Sequence, residues 1–182
     1  MVTVADVAAR VAAGDRVKFL FFWGHRPRAD GRVGPGCLSQ WWPSPFDVDG
    51  VRYDTAEHYM MWRKAMLFGD EATAGRVLHA GHPQRAKNLG REVRDFDESV
   101  WEAHRFGTVV AGSTAKFGAH DDLRAYLVGT GDRVLVEASP VDAVWGVGLA
   151  ADDERVADPG RWRGLNLLGF ALMEVREALR SG

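Results

Sequence analysis

Glu57-His58-Tyr59 sets a carboxylate, an imidazole and a phenol side by side where a hairpin gives way to a helix. Backbone N–H groups at a helix start favour negative charge, so a carboxylate there is suited to chemistry that needs an anion. The spacing also fits a plainer role. With Asp54 as N-cap, Glu57 is the N3 member of a capping box. Lys64 follows seven residues later, two helical turns on and on the same face. A lysine near a carboxylate serves as an ion pair, a phosphate contact or a nucleophile toward an aldehyde, and Lys116 in Lys116-Phe117-Gly118 offers the same options. A second cluster runs from Glu137 through Asp142 to Trp145, Gly146 and Gly148. There an expected strand feeds a glycine-bracketed loop carrying an acid and an indole, a common setting for chemistry and equally for a solvated turn with a packed Trp.

Other chemistries lack their signatures. The six histidines are scattered, His79 and His82 straddle a Gly-Pro break, and Cys37 is the single cysteine, so neither a zinc set nor an intrachain disulfide is expected. There is no phosphate-binding Walker loop, no Rossmann glycine pattern and no Gly-x-Ser-x-Gly elbow. Net charge is -2 and the sequence pI about 6.3, which argues against a field for long nucleic acid but allows a local phosphate pocket. Met1 to Asp6 lacks a basic leader, and Phe19 to Trp23 is too short to span a bilayer, so the chain reads as cytoplasmic with no membrane partner. Seven tryptophans are many for 182 residues; most are expected in the core, but several adjoin glycines and polar residues where a planar ligand could stack.

The elements that must carry these residues follow from periodicity and punctuation. Helical spacing covers Val4 to Ala13, capped by Thr3 and stopped by Gly14, and Arg16 to Trp23 reads as a buried strand. Gly24 to Gly36 is a loop. Asp49-Gly50 between two short apolar runs predicts a type I′ hairpin over residues 46–53. Helices are expected over 54–68, 70–80, 83–89, 97–117 (weakened by Gly107 and Gly112) and 121–128, then a strand over 133–138, a polar loop over 150–163 and a final helix over 166–180. Leu168, Leu172, Val175 and Leu179 give that last helix one apolar stripe. This order predicts an α+β fold: a mostly helical single domain, residues 1–182, with a small β-sheet.

Taken together, the chain resembles the NADAR, or YbiA-like, family. The resemblance rests on Cys37-Leu38-Ser39-Gln40-Trp41, Pro45-Phe46, Val48-Asp49-Gly50, Tyr53 through Lys64, Ala86 through Arg91, Trp101, Lys116-Phe117, and Leu127 through Gly131. It continues with Leu135 through Ala138, Asp142, Trp145-Gly146, Gly148, Asn166, Leu168-Gly169 and Leu172 through Arg176, in unbroken order over about 17–180.

The resemblance implies an N-glycosidase. Its substrates would be ribosylaminopyrimidine phosphates of the early riboflavin pathway, or a single ADP-ribosylated guanine in nucleic acid. A non-catalytic ADP-ribose-binding module is the alternative of another class. Cleavage builds positive charge at C1 of the ribose, which a carboxylate stabilises or answers by activating water. Glu57 is the candidate, with Asp142 as second carboxylate and Lys64 as nucleophile of a Schiff-base variant, Lys116 competing for that role. Trp101 and Trp145 would stack the base, Arg91 (and less so Lys87) would hold phosphate, and Tyr59 and Asn166 belong to the matching substrate-binding motifs. No metal or cofactor is implied, so EDTA treatment is expected to leave base release intact; a clear loss in metal-free protein would contradict this. The sequence departs from the family pattern at Gln40, usually Asn, at Leu165, often Lys, and in longer loops over 24–36 and 149–163.

Overall fold

In the computed structural model, which describes residues 1–181, Thr3 opens α1 (Val4–Ala12) through a reciprocal cap: the Asp6 N–H donates to Thr3 Oγ1, and the Thr3 N–H to Asp6 Oδ2 at 2.8 Å. The chain continues through β1 (Phe19–Phe22), a 3₁₀ turn (Pro35–Leu38), β2 (Phe46–Val48), β3 (Val51–Tyr53), α2 (Ala56–Leu67), α3 (Glu71–Leu78) and α4 (Pro83–Leu89). It ends with α5 (Glu98–Ala119), α6 (Asp121–Gly129), β4 (Val134–Glu137), two 3₁₀ turns (Glu154–Ala157 and Pro159–Arg161) and α7 (Leu167–Ser181). The expected α+β class and the order of its elements are both present. The residues gather into two compact units, Met1–Ser39 with the chain from Asp122 onward, and Gln40–Asp121.

In the first unit β1 pairs in parallel with β4, Phe19 opposite Val134 and Phe22 opposite Glu137. Val134, Leu135 and Val136 are all buried, as the continuous apolar run requires when both faces of a strand are covered. The α7 helix packs on β4 with Leu168, Leu172 and Val175 buried, while Leu179 near its end is half-buried. Arg176 on the same helix is buried with its guanidinium engaged: Nη1 donates to Thr130 Oγ1 at 3.0 Å and to the Arg133 carbonyl at 2.9 Å, and Nε to Glu177 at 3.1 Å.

In the second unit the hairpin forms on the expected turn: Asp49 and Gly50 hold φ of 50° and 78°, the pair of positive values a type I′ turn needs. This registers Phe46 opposite Tyr53 and turns both rings onto Tyr59 of α2, at 6.0 and 5.1 Å between centroids. The α2 helix is central, packing on α3, α4 and α5. Asp70 caps α3 and accepts from the Arg94 side chain at 2.9 Å and its backbone N–H at 3.1 Å, which holds the Asp70 carboxyl well below the usual carboxylate range.

The α5 helix runs unbroken through both glycines that its sequence pattern marks as weak points. Gly112 has a positive reason to be there. A Cβ at this position would lie 2.4 Å from Cδ1 of Tyr59, so the missing side chain lets α5 close on α2. Gly112→Ala is therefore expected to destabilise the protein by roughly 1–3 kcal/mol, the usual cost of overpacking, despite its better helix propensity. Thermal unfolding checks this; an unchanged or higher Tm would mean that the Tyr59 ring gives way freely.

Candidate active site

The start of α2 shows which residues cap it. Thr55, not Asp54, is the N-cap, and its Oγ1 accepts the His58 N–H. That makes His58 the N3 residue and Glu57 the N2 residue, so the capping-box role open to Glu57 in the sequence is not the one it has. His58 is locked on both sides. Its Nε2 lies 3.0 Å from the Ala80 carbonyl, which can only accept, so Nε2 carries the proton and Nδ1 accepts from the Thr55 hydroxyl at 2.8 Å. The imidazole thereby ties the helix start to the end of the α3 segment.

Glu57 is 3% exposed, and its backbone N–H donates to the Gln40 carbonyl at 3.0 Å. A carboxylate buried at the N-terminus of a twelve-residue helix meets the positive end of the helix dipole. Gln40 adds a second feature: it is 8% exposed, and its Nε2 has no hydrogen-bond partner among the described residues. An amide donor left so costs about 1–3 kcal/mol unless a ligand or a water supplies the acceptor. The sequence shows Gln40 only as a departure from the expected Asn; nothing local signals its buried donor.

Further along α2, Lys64 is half-buried with Nζ 3.9 Å from the Phe96 ring centroid and 5.7 Å from that of Trp101. Burial lowers its pKa; Glu98 opposes the shift and Arg91 adds to it. Arg91 is exposed and makes no ion pair among the described residues, as a phosphate contact would require. Trp101 is 7% exposed, so its ring serves chiefly as a wall for the Lys64 ammonium. Lys116 is 1% exposed within α5, with Nζ 5.0 Å from the Phe117 ring centroid. Tyr59 is buried in the aromatic cluster, where burial pushes its phenol pKa up.

The remaining expected residues lie in the first unit. Asp142 Oδ1 accepts the backbone N–H groups of Val144 at 2.9 Å and Trp145 at 2.8 Å, so the carboxylate organises its own loop. Trp145 is half-buried there. Asn166 has a structural task. It is fully buried at φ 52°, its Nδ2 donates to the Leu135 carbonyl at 2.9 Å, and its Oδ1 accepts the Glu137 N–H at 3.0 Å. Both halves of the amide bind the open edge of β4, which explains why an Asn stands before α7. Asn166→Ala is expected to cost about 2–3 kcal/mol by leaving buried backbone groups unpaired. Chemical denaturation measures this, and a loss below about 0.5 kcal/mol would mean that the β4 edge finds other partners.

Among the described residues no three His, Cys, Asp or Glu side chains converge as metal ligands, and no helix is long and apolar enough to cross a membrane.

Comparison with known proteins places this arrangement. The NADAR domain family model matches residues 21–180. N-glycosidase R617 of Acanthamoeba polyphaga mimivirus is 38% identical over 165 residues, covering 88% of this chain and 95% of the relative. N-glycosidase YbiA of Escherichia coli (strain K12) is 33% identical over 144 residues, covering 79% and 81%. The NMR structure of the E. coli protein YbiA is similar with a TM-score of 0.71 at 30% identity, over 90% of this chain and 86% of that one. With a match that begins in β1 and ends in α7, the chain belongs to the NADAR domain family.

Proposed function

We propose that this protein is a hydrolase of N-glycosidic bonds, that it acts on a ribose phosphate linked through nitrogen to an amino-bearing base, and that Glu57 is its catalytic carboxylate. The observation that carries the reading is the burial of Glu57 at the second position of α2 while Thr55 does the capping. The names of relatives such as N-glycosidase R617 and N-glycosidase YbiA support the reaction type. As the C1–N bond lengthens, positive charge grows on C1 and the ring oxygen. A carboxylate beside it stabilises that charge or takes a proton from the attacking water. The Gln40 amide offers a donor to a substrate oxygen, and Arg91 offers a guanidinium to the phosphate. In the first unit Asp142 fixes the loop that carries the half-buried Trp145. Tyr59 and Asn166 serve packing and strand-edge pairing.

A second route is favoured by the placement of Lys64, half-buried against Phe96 and Trp101, where burial lowers its pKa. Its neutral amine would attack C1, the base would leave with a proton, the ribose ring would open to a Schiff base, and water would then release the sugar.

Ribosylaminopyrimidine phosphates of the riboflavin pathway are the proposed substrate; ADP-ribosylated guanine in a nucleic acid is the alternative within the same chemistry. Incubation with each, followed by mass spectrometry of the free base, tests the reading, with release from the pyrimidine compound as the expected result. Release from the guanine oligonucleotide alone would move the substrate and keep the reaction. Saturable binding without release from either would favour a binding module and overturn the proposal.

A further inference from the structure

Between β1 and the Pro35–Leu38 turn the chain builds a cavity of about 410 Å³, lined by Trp23, His25, Arg26, Arg28, Pro35 and Gly36. Its walls are unusual for this protein. The chain as a whole carries -2, yet residues 24–36 hold three Arg and one Asp, a local +2. Asp30 does not neutralise the arginines at the cavity. It is bound by Arg32, whose Nη2 and Nε lie 2.6 and 2.7 Å from Oδ2, while Arg28 acts on it only at a distance. Arg26 and Arg28 make no ion pair among the described residues. Trp23, directly after β1, is 61% exposed, more than any other tryptophan of the chain, and turns an indole toward the same space.

The loop is held in shape rather than left slack. The Gly31 N–H donates to the Arg28 carbonyl at 2.9 Å and the Arg28 N–H to the Arg32 carbonyl at 3.3 Å, closing the tip. At the base, a Cβ on Gly36 would sit 2.5 Å from the Arg26 carbonyl oxygen, so only glycine lets the two limbs meet there. The Arg28 side chain crosses Gly34 in the same way. Two guanidiniums and an exposed indole are thus presented by a braced loop around a space large enough for a small ligand.

We propose that this cavity is a binding site for a nucleoside 5′-monophosphate, with the base stacked on Trp23 and the phosphate held by Arg26 and Arg28. Guanidinium forks match phosphate oxygens, and an indole face accepts any planar base. Neither feature alone selects a nucleotide; their presence around one cavity does. The site is assembled wholly within the first unit and does not depend on hydrolysis at Glu57.

Calorimetric titration of the full chain with UMP, uridine and inorganic phosphate tests it; the base of UMP carries no amino group, so this probe lies outside the substrate class proposed above. One-to-one binding of UMP is expected, with uridine and phosphate each at least about tenfold weaker. Trp23→Ala, Arg26→Gln and Arg28→Gln replace exposed side chains, so each should fold, as a thermal melt will show, and each should weaken UMP by about tenfold or more. Glu57→Gln should bind UMP as the wild type does. No UMP binding at millimolar concentration, UMP binding that ignores all three loop substitutions, or UMP binding lost in Glu57→Gln would each overturn the proposal. Absence of glycosidase activity would leave these outcomes as they are and count only against the function proposed above.

Discussion

Glu57→Gln is expected to lower kcat for base release by about three orders of magnitude while leaving the fold and KM nearly unchanged. The amide is almost isosteric with the carboxylate but can neither carry the negative charge that balances the ribosyl cation nor accept a proton from water. The helix start should survive. Thr55 and His58 cap it, and Glu57 joins in through its backbone N–H to Gln40, which the substitution retains. Had Glu57 been the N3 partner of Asp54, the same change would have confounded capping with chemistry. Steady-state rates by mass spectrometry, beside a thermal melt, give the answer. A kcat within tenfold of wild type in a folded variant would remove Glu57 from the mechanism.

That geometry also shows what a sequence can and cannot disclose. Asp49-Gly50 announced its hairpin because the turn's positive φ values are a local demand met by few residue types. The cap by Thr3 was legible for the same reason, while the answering bond from Asp6 is seen only in the structure. The cap of α2 was not, since Asp54 and Thr55 are both good N-caps. The bond that holds the His58 ring beside Thr55 runs to the Ala80 carbonyl, 22 residues away. The strand-edge role of Asn166 was hidden on the same ground: its partners are backbone groups of β4, 29 and 31 residues distant, and no local pattern reports a strand edge in need of an amide. Gly107 and Gly112 weaken the pattern of one long α5, yet the Tyr59 ring over Gly112 turns a propensity penalty into a packing requirement. The candidate carboxylate and lysine of α2 were legible from type and spacing. The lysine's aromatic surroundings were not, because Phe96 and Trp101 reach it from beyond its own helix.

Those surroundings make Lys64 the second residue to test. Lys64→Met is expected to lower kcat by about two orders of magnitude or more, and borohydride added during turnover should trap a sugar adduct on the wild type that the variant lacks. Only the neutral amine attacks carbon. Burial against Phe96 and Trp101 lowers the pKa from the ordinary value of 10.5, so at neutral pH a larger fraction is neutral than on an exposed lysine. The rate should therefore climb with pH along a limb lying below that ordinary value, and the limb should vanish in the variant.

Stability runs independently of this loss. The unfolded chain binds this proton more tightly than the folded one, so the lysine weakens the fold while protonated. That penalty fades as pH rises through the folded pKa and is gone above the unfolded one. Methionine carries no such penalty and keeps a sulfur–aromatic contact in place of the cation–π one, so the variant should melt at or above the wild-type temperature near neutral pH. A folded Lys64→Met protein that keeps kcat within tenfold, with no adduct trapped on the wild type, would leave direct attack of water beside Glu57 as the route.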